Sequence, residues 1–430
     1  MEQGYLPSVL SEVICGTTFI ERPSHCDQLG HRMSSANTPK AIVVHAGARD
    51  SYQVAQSLLE VGLLDQLVTN VYWSSWAKQR YGAEIPSKYV RMCLTAFLHY
   101  WVKKLMPSWK LERASDHRLG RRAGILALRH KSALVAYSYY ASSAFRSAGP
   151  EGVKRILFQL HPHPRSVRKL LQEELELVPA ARDSLLQEAE LSLTESELEE
   201  LASEPLLADA IVVASSFTLR TLVENGCGMR PTRVIPYGVD RSRFPVREQA
   251  SVKGPLRVIW VGQICQRKGL SYLLDAARKL SPEKVQVVLR GYGKVDWKLL
   301  KCYGDVAIDV QQGLPHDLLL RDLHSSDIFA LPSLVEGFGH SILEAMSTGL
   351  PVITTSHTCG ADIVTPGVDG FLVPIRDSDA IANALEWALS NRPQLAEMGR
   401  EASTKAAAYT WSTFRMRIEQ AYVSFVGGTQ

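Results

Sequence analysis

Two glutamates flank a short glycine-rich turn in the last third of the chain. Glu336 is followed by Gly337, Phe338 and Gly339, and Glu344 lies further along the same stretch. Glycines let backbone N–H groups approach a ligand closely, and a helix that begins after the turn directs its positive end at the same place, which suits a phosphate. Helical geometry separates the two carboxylates by roughly 12 Å. That span suits a ligand with a sugar at one end and a ribose at the other.

A second turn carries two cations. Val261–Gly269 follows an apolar run and includes Arg267 and Lys268 just before a predicted helix. Cations are disfavoured at helix N-termini, so an anionic ligand explains them better than solvation does. A nucleoside diphosphate that leaves a sugar develops about two negative charges, which cations in a cleft with little water stabilise.

The elements that position these turns alternate regularly after residue 255. Apolar runs predict strands at 256–261, 285–290, 305–310, 327–331, 351–354 and 370–373. Between and after them, periodic patterns predict helices at 269–280, 296–303, 315–324, 340–348, 358–364 and 378–391. This alternation predicts a parallel sheet with helices on both faces.

The first half has the same character with weaker signals. The β-branched run Ala41–His45 predicts a strand, followed by a glycine turn and a helix over 52–61. Further strands are predicted at 155–160, 210–214 and 234–236, with acidic helices over 167–201. We therefore expect an α/β protein with two domains, whose ligand lies in the cleft between the carboxyl ends of two sheets.

We expect four segments along the chain. Residues 1–39 show no period and predict a poorly ordered extension. The expected domains are residues 40–245 and 246–408, with a polar linker near 245–255. Residues 409–430 predict a terminal segment.

The stretch ALPSLVEGFGHSILEAMSTGLPVITT is similar to the donor site of the large retaining GT-B glycosyltransferase family (group 1, or family 4 type). That family includes glycogen synthases, sucrose synthases and bacterial mannosyltransferases. The resemblance implies two doubly wound, Rossmann-like domains. It implies that Glu336 contacts donor-sugar hydroxyls, that Glu344 contacts the ribose, and that the amides of Gly337, Phe338 and Gly339 face the sugar and phosphates. It also implies a terminal helix that returns to the first domain.

Three further turns resemble the family. Gly262 and Lys268 match its phosphate loop; Gln263 stands where the family usually has arginine, and Arg267 is the candidate substitute for that charge. Gly291, in Arg290–Gly293, resembles the nucleotide-facing turn, and Gly313, in the segment VQQGL, resembles the segment that reads the base. Position 296 is aspartate, so the turn at Gly291 lacks the third glycine of a dinucleotide fingerprint, which argues against an NAD-dependent oxidoreductase.

The first domain contributes candidates near the sugar and the acceptor. The family carries a histidine at the end of a strand of this domain, and His161 and His163 both fit. We favour His161 because it ends the strand directly, although a structural role for either histidine is the alternative. Gly47 resembles the family's N-terminal glycine loop near the phosphates, and Arg49 beside it is a candidate phosphate or acceptor contact.

We expect no metal and no cofactor beyond the nucleotide sugar, which is a co-substrate. The pair Asp377 and Asp379 has the Asp-x-Asp spacing of metal-dependent transferases, but it begins a predicted helix, where such residues serve as caps. The seven cysteines are scattered and form no C-x-x-C pair, so no zinc site is expected.

A basic segment suggests an anionic surface as a partner. Residues 78–131 contain thirteen Lys and Arg against three acidic residues, whereas the whole chain has a net charge of only +4. An apolar helix over 88–106 with a polar stripe could lie on an anionic membrane or be a core helix with one solvated edge, and the basic segment favours the membrane. No aromatic-basic platform for nucleic acid is present, so we expect no nucleic-acid partner.

We expect a cytoplasmic protein, with the basic segment on the inner face of the membrane. The first residues carry Glu2 and Glu12 without Lys or Arg, unlike a secretory signal. No apolar run reaches the length of a membrane-spanning helix.

The sequence thus predicts a retaining, metal-independent glycosyltransferase of the hexosyltransferase type. It would move a sugar from a nucleoside diphosphate sugar to a hydroxyl acceptor, such as a lipid-linked saccharide, in polysaccharide, glycolipid or other glycoconjugate synthesis. Two alternatives stay open: a hydrolase or epimerase of nucleotide sugars with the same fold, and a non-catalytic nucleotide-sugar-binding protein.

Overall fold

The computed structural model describes residues 38–47, 50–70, 72, 84–93, 109–248, 254–293 and 295–427. Within these ranges the chain forms two parallel sheets with helices on both faces. The predicted extension lies almost entirely outside them.

The first sheet has the order β3-β2-β1-β4-β5-β6-β7. Its strands are β1 (Ala41–His45), β2 (Leu64–Thr69), β3 (Val90–Met92), β4 (Ala133–Tyr137), β5 (Arg155–Gln159), β6 (Ala210–Val213) and β7 (Thr232–Val234). The helices around it are α1 (Gln53–Glu60), α2 (Trp109–His130), α3 (Ala141–Ala148), α4 (Pro164–Leu177), α5 (Arg182–Leu185), α6 (Ala189–Ser192), α7 (Glu195–Leu207) and α8 (Ser216–Glu224).

The second sheet has the order β10-β9-β8-β11-β12-β13. Its strands are β8 (Leu256–Val261), β9 (Val285–Gly291), β10 (Ile308–Gln312), β11 (Ile328–Leu331), β12 (Val352–Thr355) and β13 (Gly370–Val373). The helices are α9 (Leu270–Leu280), α10 (Trp297–Leu300), α11 (His316–His324), α12 (His340–Ser347), α13 (Gly360–Ile363), α14 (Ser378–Ser390), α15 (Arg392–Ala406) and α16 (Trp411–Gly427).

The central strands of both sheets are buried on both faces. All five residues of β1 are buried, and Val43 is in register with Leu67 of β2 and Val135 of β4. Val258 of β8 likewise lies between Val287 and Ile328. Continuous apolar strands of this kind require helices on both sides, which is the arrangement found.

Each sheet reverses its winding beside its central strand. In the first sheet the reversal lies between β1 and β4, and in the second between β8 and β11. Loops at the carboxyl ends of such strand pairs diverge and leave a crevice, the usual ligand site of open α/β sheets. In the second sheet these loops carry Gly262 and Glu336.

The last helix lies against the first helix of the chain. Ser57 of α1 donates a hydrogen bond to the Arg415 carbonyl (2.6 Å), and the Arg415 guanidinium reaches Gln53 and Glu60 at 2.8 and 3.0 Å. Tyr422 donates from its hydroxyl to the Pro39 carbonyl at 2.6 Å. The chain therefore returns to the first sheet after completing the second.

The predicted helix over 88–106 is wrong at its beginning. Ser87–Tyr89 is a single 3-10 turn, and Val90–Met92 is strand β3. Val90 pairs with Leu67 of β2, so sheet formation at this edge overrides the helical spacing of the polar residues. Residues 94–108 lie outside the described part of the chain.

Candidate active site

Lys268 and Glu336 form an ion pair where the two loops of the second sheet meet. Lys268 ends a 3-10 turn, Gln266–Lys268, and its Nζ lies 2.6 Å from Glu336 Oε1. The Glu336 backbone N–H donates to the His357 carbonyl at 3.0 Å, which fixes the loop after β11. Both side chains are largely buried, at 8% and 14% exposure.

Arg267 joins the same carboxylate to a glutamate of the first domain. Its Nη1 lies 2.7 Å from Glu336 Oε1, and its Nε lies 3.0 Å from Glu188 Oε2. Burial acts to raise the pKa of Glu336, but Lys268 and Arg267 outweigh it and lower that pKa to about 2. Burial opposes the charge of Arg267, whereas Glu336 and Glu188 raise its pKa well above the ordinary value. Glu336 and Arg267 are therefore both ionised at neutral pH.

The cavity that we call the Glu336 cavity has a volume of about 340 Å³. It lies between the two domains, at the carboxyl end of β8. Eight of the residues predicted from the sequence line it: His161, Gly262, Lys268, Glu336, Gly337, Phe338, Gly339 and Glu344. Residues far apart in the chain thus meet around one space of ligand size.

The amino end of helix α12 faces this cavity. Gly339 precedes the helix with φ of +93°, a left-handed conformation that other residues rarely adopt. No side chain caps the helix, so N–H groups of its first turn are available to an anion. On the opposite side of the cavity, Gly262 has a φ of +149°, and its backbone packs beside the Lys268 side chain.

Glu344 lies within α12 and lines the same cavity. Within the described part of the chain, its carboxyl group has no hydrogen bond or ion pair. Burial raises its pKa to about 7, and Arg243 opposes this increase. Glu344 can therefore accept hydrogen bonds from a ligand as a carboxylate or donate one as an acid near neutral pH.

Gly337 brings the second domain into contact with the first. Its carbonyl accepts hydrogen bonds from Ser215 Oγ (2.7 Å) and Thr218 Oγ1 (3.3 Å) at the start of α8. The Asp362 carboxylate also accepts from the Ser216 backbone N–H, at 3.0 and 3.2 Å. The Glu336 loop is thus held against the end of strands β5 and β6.

The structure separates the two candidate histidines. His161 lines the Glu336 cavity, and its ring packs edge-on against Tyr139 at 4.8 Å. His163 is 2% exposed, immediately precedes α4, and donates from its backbone to Thr221 Oγ1 at 2.9 Å. Burial lowers the pKa of His163 to about 4. Of these two histidines, His161 lines the cavity and His163 does not.

Gly47 lies in a turn that is fixed by hydrogen bonds to Asn70 and to a buried cluster of His45, Asp50 and Tyr137. Its N–H donates to Asn70 Oδ1 at 2.8 Å, and its carbonyl is 2.8 Å from His45 Nδ1. The other ring nitrogen of His45 lies 3.0 Å from Asp50 Oδ1, and the Tyr137 hydroxyl donates to the same carboxylate. Arg49 lies outside the described residues.

Gly291, the last residue of β9, and Gly313, directly after β10, shape the turns that follow these strands. A Cβ on Gly291 would lie 2.6 Å from Ile264 Cδ1, so this position requires close packing. Gly313, with φ of +65°, donates from its N–H to the Gly291 carbonyl at 2.9 Å. Tyr292, 61% exposed, is the residue of this turn that lines the Glu336 cavity.

Sequence reasoning gave no role to His340 or Glu188. The His340 ring lines the Glu336 cavity and stacks on Tyr237, with centroids 4.5 Å apart. Burial lowers its pKa to about 4, which keeps it neutral. His340 lay inside the recognised motif and could have been found there, whereas Glu188 lies between two short helices and carries no sequence signal.

Asp377 of the Asp-x-Asp pair serves as the expected helix cap, and Asp379 lies in the first turn of the helix. Asp377 accepts a hydrogen bond from the Ala380 N–H at 2.8 Å at the start of α14. In the described ranges, no three His, Cys, Asp or Glu side chains cluster as metal ligands would. The described helices include none that is long and apolar enough to cross a bilayer.

Comparison with known sequences finds similarity over part of the chain. Residues 243–405 match the family described as Glycosyl transferases group 1. The amylovoran biosynthesis glycosyltransferase AmsK of Erwinia amylovora is 28% identical over 176 residues, which are 38% of this chain and 43% of AmsK. The UDP-Gal:alpha-D-GlcNAc-diphosphoundecaprenol alpha-1,3-galactosyltransferase of Escherichia coli is 33% identical over 174 residues, or 35% of this chain and 43% of the enzyme. The chain thus matches less than half the length of these curated relatives.

Comparison with solved structures covers nearly the whole chain. A sucrose-phosphate synthase from Thermosynechococcus elongatus aligns over 91% of this chain and 100% of its own, with a TM-score of 0.65 and 16% sequence identity. At this identity the likeness concerns the fold. Together with the two parallel sheets, it confirms the predicted GT-B architecture.

Proposed function

We propose, from the match of residues 243–405 to the family described as Glycosyl transferases group 1, that the protein moves a sugar from a nucleoside diphosphate sugar to a hydroxyl acceptor. The observation that carries the proposal is the Lys268–Glu336 pair in a cavity under the amino end of α12. We further propose that the reaction is a hexosyl transfer with retained anomeric configuration, and that it serves polysaccharide or other glycoconjugate synthesis, the process named for AmsK.

In the proposed complex the diphosphate lies at the start of α12. Lys268 and the free N–H groups of the first helical turn offset the charge that develops as the glycosidic bond breaks. Glu336, kept ionised by its two cationic neighbours, accepts hydrogen bonds from the sugar hydroxyls and orients the ring. Glu344 accepts hydrogen bonds from the ribose.

The acceptor hydroxyl attacks the anomeric carbon on the face from which the diphosphate departs. The carbon–oxygen bond to the phosphate breaks, the bond to the acceptor oxygen forms, and the departing phosphate takes the acceptor's proton. His161, at the end of β5 and on the cavity wall, orients the sugar next to this centre. Because the protein supplies Lys268 and a helix terminus, we propose that no divalent ion is needed.

Two features support an acceptor held at a membrane. Arg118, Arg121, Arg122 and Arg129 are exposed along α2, and such a row favours an anionic lipid surface. The name of the Escherichia coli relative specifies a lipid-linked diphosphate saccharide as its acceptor. Sedimentation with anionic vesicles at low salt tests this part, and a protein that stays in the supernatant refutes it.

A donor screen tests the central proposal. UDP-, GDP- and ADP-sugars are compared by thermal shift, and we expect one of them to raise the Tm at saturating concentration. Radiolabelled donor then separates the reactions: label in an acceptor supports transfer, whereas free sugar or an isomeric nucleotide sugar supports the hydrolase or epimerase alternative. Turnover that disappears with EDTA would refute metal independence.

A further inference from the structure

A second cavity opens between the domains on the other side of Arg267. This Trp297 cavity has a volume of about 480 Å³. Gln263, Asp296 and Trp297 line it from the second domain, and Gln187 and Glu188 line it from the first. Two turns predicted for the donor site reach this cavity, through Gln263 and Gly293, whereas none of the individual residues predicted to bind the donor lines it.

Asp296 presents a buried carboxylate oxygen that needs a partner. The residue is 6% exposed, and its Oδ1 accepts the Leu299 N–H at 2.9 Å as the cap of α10. Its Oδ2 has no hydrogen bond within the described part of the chain. Buried carboxylate oxygens are nearly always satisfied, so a group in this cavity that donates a hydrogen bond would complete the site.

The remaining lining has the chemistry that recognises sugars. Trp297 is 54% exposed and offers an aromatic face to the C–H groups of a pyranose. Gln187 and Gln263 offer amides, and Glu188 and Asp296 offer carboxylates, all suited to hydroxyl groups. Among the lining residues that the structure describes, Lys298 is the one cation, and it lies 3.3 Å from Asp183 Oδ2. Carboxylates outnumber cations among these described residues, which favours a neutral saccharide over an anionic ligand.

Shared lining residues connect the Trp297 cavity to the proposed reaction centre. Glu188 lines both it and an adjoining cavity of about 270 Å³, which in turn shares His161 and Glu336 with the Glu336 cavity. Arg267 contacts residues of all three cavities. Its Nη2 lies 3.3 Å from Gln263 Oε1, and its other nitrogens contact Glu188 and Glu336. A chain of linked sugars could therefore run from the centre to Trp297.

We propose that the Trp297 cavity binds the saccharide portion of the acceptor, beyond the sugar that receives the new bond. The proposal rests on the proposed transferase function and deepens it. The acceptor is then a neutral saccharide of at least two residues.

The test measures saccharide binding and donor binding separately. Binding of p-nitrophenyl mono-, di- and trisaccharides of glucose, galactose, mannose and N-acetylglucosamine is followed by saturation-transfer NMR and titration. We expect at least one di- or trisaccharide to bind more tightly than its monosaccharide. Trp297→Ala should weaken that binding about tenfold, and Trp297→Phe should restore most of it. Asp296→Asn, which keeps a capping oxygen but replaces Oδ2, should also weaken it.

Binding of UDP, GDP or ADP, whichever the donor screen selects, provides the control. Unchanged nucleotide binding in each variant shows that the cleft is folded. Gln187→Ala changes the opposite wall of the cavity without altering α10, and it should also weaken saccharide binding. Wild-type protein that binds none of these saccharides at millimolar concentration, or binding that survives Trp297→Ala, overturns the proposal. Saccharide binding that is lost in Trp297→Ala, in a protein that binds no nucleotide sugar, would instead support the cavity and refute the transferase.

Discussion

Gly337 and Leu160 meet backbone to backbone across the interface between the domains. A Cβ added to Gly337 would lie 1.8 Å from the Leu160 carbonyl oxygen, far inside contact distance. Leu160 is followed by His161, and Gly337 is preceded by Glu336. The contact therefore sets the distance between the two sides of the Glu336 cavity.

The first prediction is that Gly337→Ala separates these two sides. We expect turnover to fall by roughly 100-fold, because small displacements of reacting groups have effects of this size. Nucleoside diphosphate affinity should change little, since Lys268 and Glu344 both belong to the second domain. Steady-state kinetics and equilibrium binding measure the two effects.

Gly304→Ala is the matched control. A Cβ there meets nothing within 4 Å, and the backbone has an ordinary φ of −65°. Wild-type turnover in Gly337→Ala would show that the contact has no part in catalysis.

The second prediction concerns Lys268. Lys268→Ala should lower turnover roughly 100- to 1,000-fold, the usual effect of removing one group that stabilises developing charge. Lys268→Arg should recover part of the loss. Lys279→Ala, which removes an exposed lysine paired with Asp379, should leave turnover unchanged. A fully active Lys268→Ala protein would contradict the proposed donor site.

The third prediction follows from the raised pKa of Glu344. The carboxyl keeps its proton up to about pH 7 in the folded protein but loses it near 4.5 when unfolded. The unfolded state thus binds fewer protons between these values, so this group's contribution to stability is lost as pH rises through about 7. Glu344→Gln should abolish that loss. Urea unfolding below and above this pH range measures it, and an identical pH dependence in both proteins would refute the assignment.

The fourth prediction separates His161 from His163. His161→Asn should lower turnover with little change in stability. The pKa of His163 is about 4 when folded against an ordinary 6.5, so the stability it provides is complete above 6.5 and lost as pH falls toward 4. His163→Leu should reduce this acid loss. Turnover and urea unfolding are measured on both variants. A fall in turnover in His163→Leu, together with a changed acid loss of stability in His161→Asn, would disprove the distinction.

The fifth prediction concerns the contact between α4 and the second domain. Glu174 is fully buried and accepts hydrogen bonds from Gln266 (2.7 Å), Tyr272 (2.8 Å) and Arg376 (2.9 Å). Arg376→Gln leaves this carboxylate without a cation and should cost about 3 kcal/mol of unfolding free energy. Arg400→Gln removes an exposed surface pair and should have no measurable effect. Equal stability of the two variants would show that the buried pair contributes little.

Much of the second domain could be predicted from the sequence, although the helix α15 (Arg392–Ala406) was not predicted. Its strands are apolar runs between glycine turns, and the carboxyl ends of β8 and β11 necessarily meet at one crevice. This is why Lys268 and Glu336 could be assigned to one site before their 2.6 Å contact was seen. Boundaries moved by a few residues, as at β10, which begins at Ile308.

The first domain was harder to predict because its strands lack a clean pattern. β2, Leu64–Thr69, contains Asp65 and Gln66 and gave no strand signal, although four of its six residues are as buried as those of β1. Glu188 reaches Arg267 because α5 and α6 dock on the second domain. This docking depends on tertiary packing, and no local sequence pattern near Glu188 indicates it. His161 and His163 have the same sequence environment, and only the start of α4 turns one inward.

An isolated parallel β-bridge between Val239 and Thr410 joins the two segments that connect the domains. The Val239 N–H donates to the Tyr409 carbonyl at 2.9 Å, and a Cβ on Gly238 would lie 2.3 Å from the Trp411 nitrogen. Because the two connecting segments are hydrogen-bonded side by side, they can act as one hinge between the domains. The domains would then open by rotating about this hinge, and substrates would enter the cleft from the side opposite to it.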